Sequence, residues 1–137
     1  MMSAALVMDS SAALALLLPD EPLPTPNLPA LISNGAVLAP AHWLVETLNG
    51  LLFAERRGRI PLALRDRLIS QIAAWPVRRE ASPAVEQAMR IASLATVHGL
   101  TSYDAAYLEL AARSGAPLAT FDKALARAAT TEGVRVH

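Results

Sequence analysis

The chain has 137 residues, of which 53% are hydrophobic and 18% charged, with twelve basic groups balancing twelve acidic ones and no cysteine. Such a composition describes one compact domain, residues 1–137, long enough to bury about two-thirds of its unfolded surface, and it excludes disorder, disulfides and cysteine-based zinc sites. Zero net charge gives no global attraction for nucleic acid, although eleven of the twelve basic residues are Arg, the type that forks onto phosphate.

The first informative stretch is Ala4-Ala5-Leu6-Val7-Met8-Asp9-Ser10-Ser11-Ala12. A short apolar run ends on a carboxylate and turns into an Ala- and Leu-rich segment as far as Pro19, which predicts a buried strand, a turn and a buried helix. Asp9 belongs at the strand's C-terminal end, the edge at which open α/β sheets bind ligands. Ser10 or Ser11 is the expected N-cap of the helix. The segment resembles a signal peptide only superficially, because it has no basic start and Asp9 interrupts it. No other segment approaches the ~20 apolar residues of a membrane span, so a cytoplasmic protein without membrane contact is expected.

Pro19, Pro22, Pro24, Pro26 and Pro29 then predict a rigid, extended connection, followed by a short helix over 28–34 with Gly35 as its stop. Ala36–Ala39 reads as a second buried strand, and 42–57 as a strong helix with Trp43, Leu44, Leu48, Leu51 and Leu52 at helical spacing. Glu46 sits in its first turns, with Asn49 on the same face. Arg56, Arg57 and Arg59 cluster at its end, as Arg78 and Arg79 do later, and each cluster reads as a solvated face or a local phosphate contact. Pro61 opens a helix whose core face is Leu64, Leu68 and Ile72, and 77–80 is a weak strand. Ser82-Pro83 reads as the N-cap and first-turn proline of another helix, through Val85, Ala88, Met89 and Ala92 and closing at His98-Gly99.

Thr101 and Asp104 have capping-box spacing at the head of a further helix, which Gly115 ends. Ala116–Phe121 predicts a strand running into Asp122, with a helix over 123–130 behind it, and Val134-Arg135-Val136 predicts a last strand. The order of elements favours a three-layer α/β/α fold around a central, mostly parallel sheet of four or five strands.

Each acid has a bland explanation as a turn or cap residue. Four of them at strand-to-helix junctions, Asp9, Glu46, Asp104 and Asp122, are expected to converge on one sheet edge. Two carboxylates ~4 Å apart repel by about 4 kcal/mol at an effective dielectric near 20, so protons or a hard cation must compensate. With no His, Cys or Lys at an equivalent junction, the donors are all oxygen, a set suited to Mg²⁺ or Mn²⁺. Thr120 and Ser11, two residues from Asp122 and Asp9, are placed to orient those carboxylates.

Val7-Met8-Asp9-Ser10-Ser11-Ala12, the helix with Glu46 and Asn49, Leu100–Tyr107 around Asp104, and Leu118-Ala119-Thr120-Phe121-Asp122 occur in an order that resembles PIN-domain proteins, and most closely the VapC-type toxins of bacterial toxin–antitoxin pairs. The resemblance spans nearly the whole chain. It implies a PIN-like fold and a metal-dependent endoribonuclease in which Asp9, Glu46, Asp104 and Asp122 are the acidic quartet, Asp9 and Asp104 being the main ligands of Mg²⁺ or Mn²⁺ and Ser11, Asn49 and Thr120 supporting residues. It also implies an RNA substrate, a small antitoxin that covers the groove, and a homodimer. The proline-rich 19–29 connection and the scarcity of Lys depart from that pattern. A haloacid-dehalogenase-like phosphatase would need a second Asp where Ser11 stands, and a receiver domain would need a Lys elsewhere than Lys123. The stronger alternative is a PIN scaffold that binds RNA or protein without cleaving.

Overall fold

The computed structural model describes residues 6–19 and 27–137. Ala4 and Ala5 of the first expected strand, and most of the proline-rich connection, lie outside the described residues.

Eleven elements follow in chain order: β1 (Leu6–Met8), α1 (Ser10–Leu17), α2 (Leu28–Ser33), β2 (Val37–Ala39), α3 (Trp43–Arg56), α4 (Leu62–Ala74), β3 (Arg78–Arg79), α5 (Val85–His98), α6 (Ser102–Ser114), β4 (Leu118–Ala119) and α7 (Lys123–Thr131). The sheet is entirely parallel, in the order β3-β2-β1-β4. β1 is therefore central, and its three residues are buried, as expected of a parallel strand covered on both faces. Helices complete a three-layer α/β/α fold, α1 packing on α3, α3 on α4, and α5 and α7 on α6.

A parallel sheet places every strand's C-terminal end at one edge. Asp9 directly follows β1, Glu46 is in the first turn of α3 behind β2, and Asp122 caps α7 behind β4. The register Met8↔Ala119 continues past the strands, so Asp9 and Thr120 stand side by side. The core beneath this edge contains Trp43, Tyr107, Leu108 and Leu118, all fully buried. β3 closes one side of the sheet with exposed arginines, and the Arg79 guanidinium lies 5.4 Å from the Trp43 ring centroid. Arginines on an edge strand discourage pairing with another chain.

Two expectations need correction. The last strand reduces to a single parallel bridge, Leu118↔Val136, because only Leu118 N–H to Arg135 O and His137 N–H to Leu118 O tie the tail to β4. α5 starts at Val85 rather than after Ser82, with the Ala84 N–H donating to Gln87 Oε1 at 2.9 Å. Its Val85–Met89 face does not enter the core: Val85 is 75% and Met89 68% exposed, and no residue of α5 is fully buried. The helix carries a second apolar strip, Ile91 and Leu94, and that half-buried strip is turned inward.

Candidate functional site

Asp9 is the centre of the edge. Its backbone is extended at φ −86° and ψ 178°, and Oδ1 accepts from the Ala12 N–H at 2.9 Å, so Asp9 itself is the N-cap of α1 and the expected Ser10 or Ser11 cap is corrected. The strand runs into the helix one residue earlier than the paired serines imply, leaving them in the first turn. The Ser11 hydroxyl donates to Asp9 Oδ1 at 2.7 Å, which is the expected support. Thr120 hydroxyl donates to Asp9 Oδ2, not to the Asp122 carboxylate as its sequence spacing implies. It accepts instead from the Asp122 backbone N–H at 3.0 Å. Asp9 is only 4% exposed, and burial pushes its carboxyl from 3.8 up to about 6 even though the three donors pull it down.

Asp104 occupies the first turn of α6, half-buried, behind the Thr101 cap whose hydroxyl accepts from the Asp104 N–H at 3.1 Å. Burial raises its pKa, and the neighbouring charges of Asp122 and Glu46 raise it further. Asp104 in turn raises Asp9. The four acids thus act on one another across the edge. Asp122 is exposed and caps α7, Oδ1 accepting from the Leu125 N–H at 2.8 Å.

Glu46 is anchored by a residue that sequence reasoning did not assign a role. The Tyr107 hydroxyl donates to Glu46 Oε1 at 2.6 Å, from a fully buried ring. Burial, then that hydrogen bond and the Glu46 charge, raise the phenol well above its ordinary value, so Tyr107 remains a donor. Its position three residues after Asp104, on the same helix face, was the available signal. His42 packs its ring 5.0 Å from Tyr107 and 5.6 Å from Tyr103. Asn49 lines the same cavity as Glu46, His42 and Tyr103, a space of about 630 Å³.

Among the described residues, none of the four acids is paired with Lys or Arg. The donor chemistry therefore fits a hard divalent cation: an all-oxygen set whose mutual repulsion no described Lys or Arg relieves, His42 alone acting against it at Asp104. The spacing is less advanced than the chemistry. Among the described residues, no three His, Asp or Glu side chains stand close enough to hold a metal ion, and Asp9, Glu46 and Asp122 each spend an oxygen on a protein donor.

A search of curated proteins finds no match. Among solved structures, the crystal structure of PAE2754 from Pyrobaculum aerophilum is similar with a TM-score of 0.73 and 25% identity, covering 98% of this chain and 90% of that one. The crystal structure of FitAcB from Neisseria gonorrhoeae is similar in fold, with a TM-score of 0.66 and 17% identity over 96% of this chain and 95% of that one. The profile of the PIN domain family matches residues 6–130. With β1, Asp9, Glu46, Asp104 and Asp122 all inside that span, the chain belongs to the PIN domain family, whose members are generally nucleases.

Proposed function

We propose that this chain is a divalent-metal-dependent endoribonuclease, the toxin of a type II toxin–antitoxin pair. The observation that supports this best is Asp9: a carboxylate buried at the central strand's end, oriented by Ser11, Thr120 and the start of α1, with Asp104 acting on it and, among the described residues, no Lys or Arg paired with it. A buried acid without a basic partner is costly to the fold, and a structural role would be served as well by Asn.

Asp9 and Asp104 are the main residues to hold Mg²⁺ or Mn²⁺, with Glu46 and Asp122 completing the set. When bound, such an ion supplies Lewis acidity toward a phosphodiester and neutralises charge that develops on its oxygens. The chain's own residues do the rest. Ser11 and Thr120 hold both oxygens of Asp9 in one orientation and favour its ionised form against the cost of burial. Tyr107 fixes Glu46 through Oε1, leaving Oε2 as the acceptor for a ligand or a water proton. Asp122, exposed at the rim, is the acid best placed to act on incoming solvent. Asn49 lines the adjoining cavity, where its amide offers both a donor and an acceptor.

The same reading expects a cytoplasmic homodimer held inactive by a small antitoxin. Among the described residues no helix is long and apolar enough to cross a membrane. Val85, Met89 and Val97 on α5 supply exposed apolar surface that association would bury. Light scattering of the purified chain tests the dimer.

The open spacing of the acids favours one second reading, a PIN scaffold that binds without cleaving. Metal separates the two. Millimolar Mn²⁺ is expected to raise the melting temperature by linkage, and Asp9→Asn or Asp104→Asn to remove the shift. Cleavage of total RNA should require Mg²⁺ or Mn²⁺, stop in EDTA, and fall at least about 100-fold in Asp9→Ala, beyond the loss typical of a merely supporting residue. No Mn²⁺ shift and intact RNA would leave the binding scaffold as the function.

A further inference from the structure

Glu46, Gly50, Phe53 and Arg57 recur at i, i+4, i+7 and i+11, so they form one strip along α3 and its C-cap residue Arg57, a backbone rise of ~16 Å. The far part of the strip opens into a cavity of about 220 Å³ that α1 and the Thr120–Asp122 turn close from the other sides. Ser11 lines it, and the same hydroxyl donates to Asp9 and accepts from the Phe121 N–H at 2.9 Å. This cavity is therefore continuous with the acidic edge.

Two phenyl rings border the cavity, each nearly half exposed: Phe53 at 49% and Phe121 at 44%. The Arg57 guanidinium sits 5.7 Å from the Phe53 centroid, and among the described residues no carboxylate pairs with it. Gly50 makes room for this arrangement, since a Cβ there would run into the Leu14 side chain on α1. Two half-exposed phenyls beside a guanidinium that no described carboxylate pairs with suit a flat, anionic ligand that uses both.

We propose that Phe53, Phe121 and Arg57 form a nucleotide subsite, in which a base of single-stranded RNA stacks on the phenyl faces and Arg57 takes the adjoining phosphate. It rests on the ribonuclease reading for the identity of the polymer. The argument for RNA over a protein segment is charge and continuity. A strand whose phosphate lies at the acidic edge must leave along one of the grooves beside it, and this one offers stacking faces followed by a cation. The chain has zero net charge, so attraction for a polyanion must come from local groups such as this one. Stacking on aromatic faces tolerates any base, which makes the subsite a positioning device and not a sequence reader.

The test is the affinity of the full chain for a fluorescently labelled single-stranded RNA oligonucleotide, read by anisotropy in EDTA, where no cleavage is expected. Phe121→Leu keeps the apolar volume but loses the stacking face, and affinity is expected to fall about tenfold. Phe121→Tyr restores it. Arg57→Gln lowers affinity and reduces the slope of log affinity against log salt by about 0.7, one phosphate contact to a single strand. An oligonucleotide series with one abasic position moved along the strand should lower the parent protein's affinity at one position only, and that control needs no variant.

Unchanged RNA affinity in Phe121→Leu and Arg57→Gln overturns the proposal. So does loss of binding to a partner protein in Arg57→Gln with RNA affinity intact, which would make the groove a protein interface. RNA binding that depends on both residues without any metal-dependent cleavage keeps the subsite and removes the nuclease. Cleavage that stops in Asp9→Ala while affinity ignores Phe121 and Arg57 does the reverse.

Discussion

Asp9 and Glu109 are equally buried carboxylates, each 4% exposed, and they are held in opposite ways. Glu109 on α6 accepts from Arg113 at 2.9 and 3.1 Å and faces Arg90 at 3.5 Å, while Arg113 also reaches Glu80. Its charge is cancelled on the spot. Asp9 has two hydroxyls and one backbone N–H, with another acid as its nearest charged influence. A paired buried acid fastens elements together, here α6 to α5 and to the end of β3. An unpaired one is a standing demand for a proton or a cation, and that difference is the ground on which Asp9, and not Glu109, is proposed as a site residue.

The contrast breaks most visibly with pH. In the folded, metal-free chain Asp9 titrates at about 6 against 3.8 when unfolded, so between those values the native state holds the extra proton. The Asp9 contribution to stability is then greatest below pH 4 and is lost as pH rises through 6, about 3 kcal/mol for a shift of this size. Asp104, raised for the same reason, adds a change of the same sign. Urea unfolding in EDTA should show parent minus Asp9→Asn stability dropping across pH 4 to 7, and saturating Mn²⁺ should flatten it. A difference that does not vary with pH would mean that Asp9 carries no burial cost.

Glu109 offers the complementary test. Glu109→Gln leaves Arg113 with Glu80 alone, and because Arg113 is a third exposed the loss is expected to be about 1–2 kcal/mol, below the range for breaking a fully buried pair. RNA cleavage per folded molecule should be unchanged. A drop in turnover would erase the distinction between the two acids.

What was legible in the sequence followed from local rules. An apolar run ending on Asp9, helical spacing behind Glu46, and the Thr101-to-Asp104 cap each need only neighbours a few residues away. The layers and the parallel sheet followed from the alternation of elements. What failed depended on distant partners. α5 has two apolar strips, and nothing in its own sequence says that Ile91 and Leu94, not Val85 and Met89, turn inward. Glu109 looked like any helix glutamate until Arg90, nineteen residues earlier, and Arg113 came to it. The Tyr107 hydrogen bond to Glu46 joins residues 61 apart.

Thr120 is the sharpest instance, and its substitution is the smallest effect that still separates the two carboxylates. By sequence it belongs to Asp122; the β1–β4 register gives its hydroxyl to Asp9, 111 residues away, with the Asp122 N–H as its own donor. Thr120→Val preserves shape in a buried position and removes only that hydroxyl. A hydrogen bond to a charged group contributes about 1.5–3 kcal/mol to the ionised form, so Asp9 should become harder to ionise and its titration should move further up. The variant is expected to lose about 1–2 kcal/mol at pH 7 and almost nothing at pH 4, and to need more Mn²⁺ for the same thermal shift. Thr120→Ser should recover all three. If Thr120→Val instead costs the same at both pH values, the hydroxyl serves only the α7 turn, and Ser11 with the α1 N-terminus holds Asp9 alone.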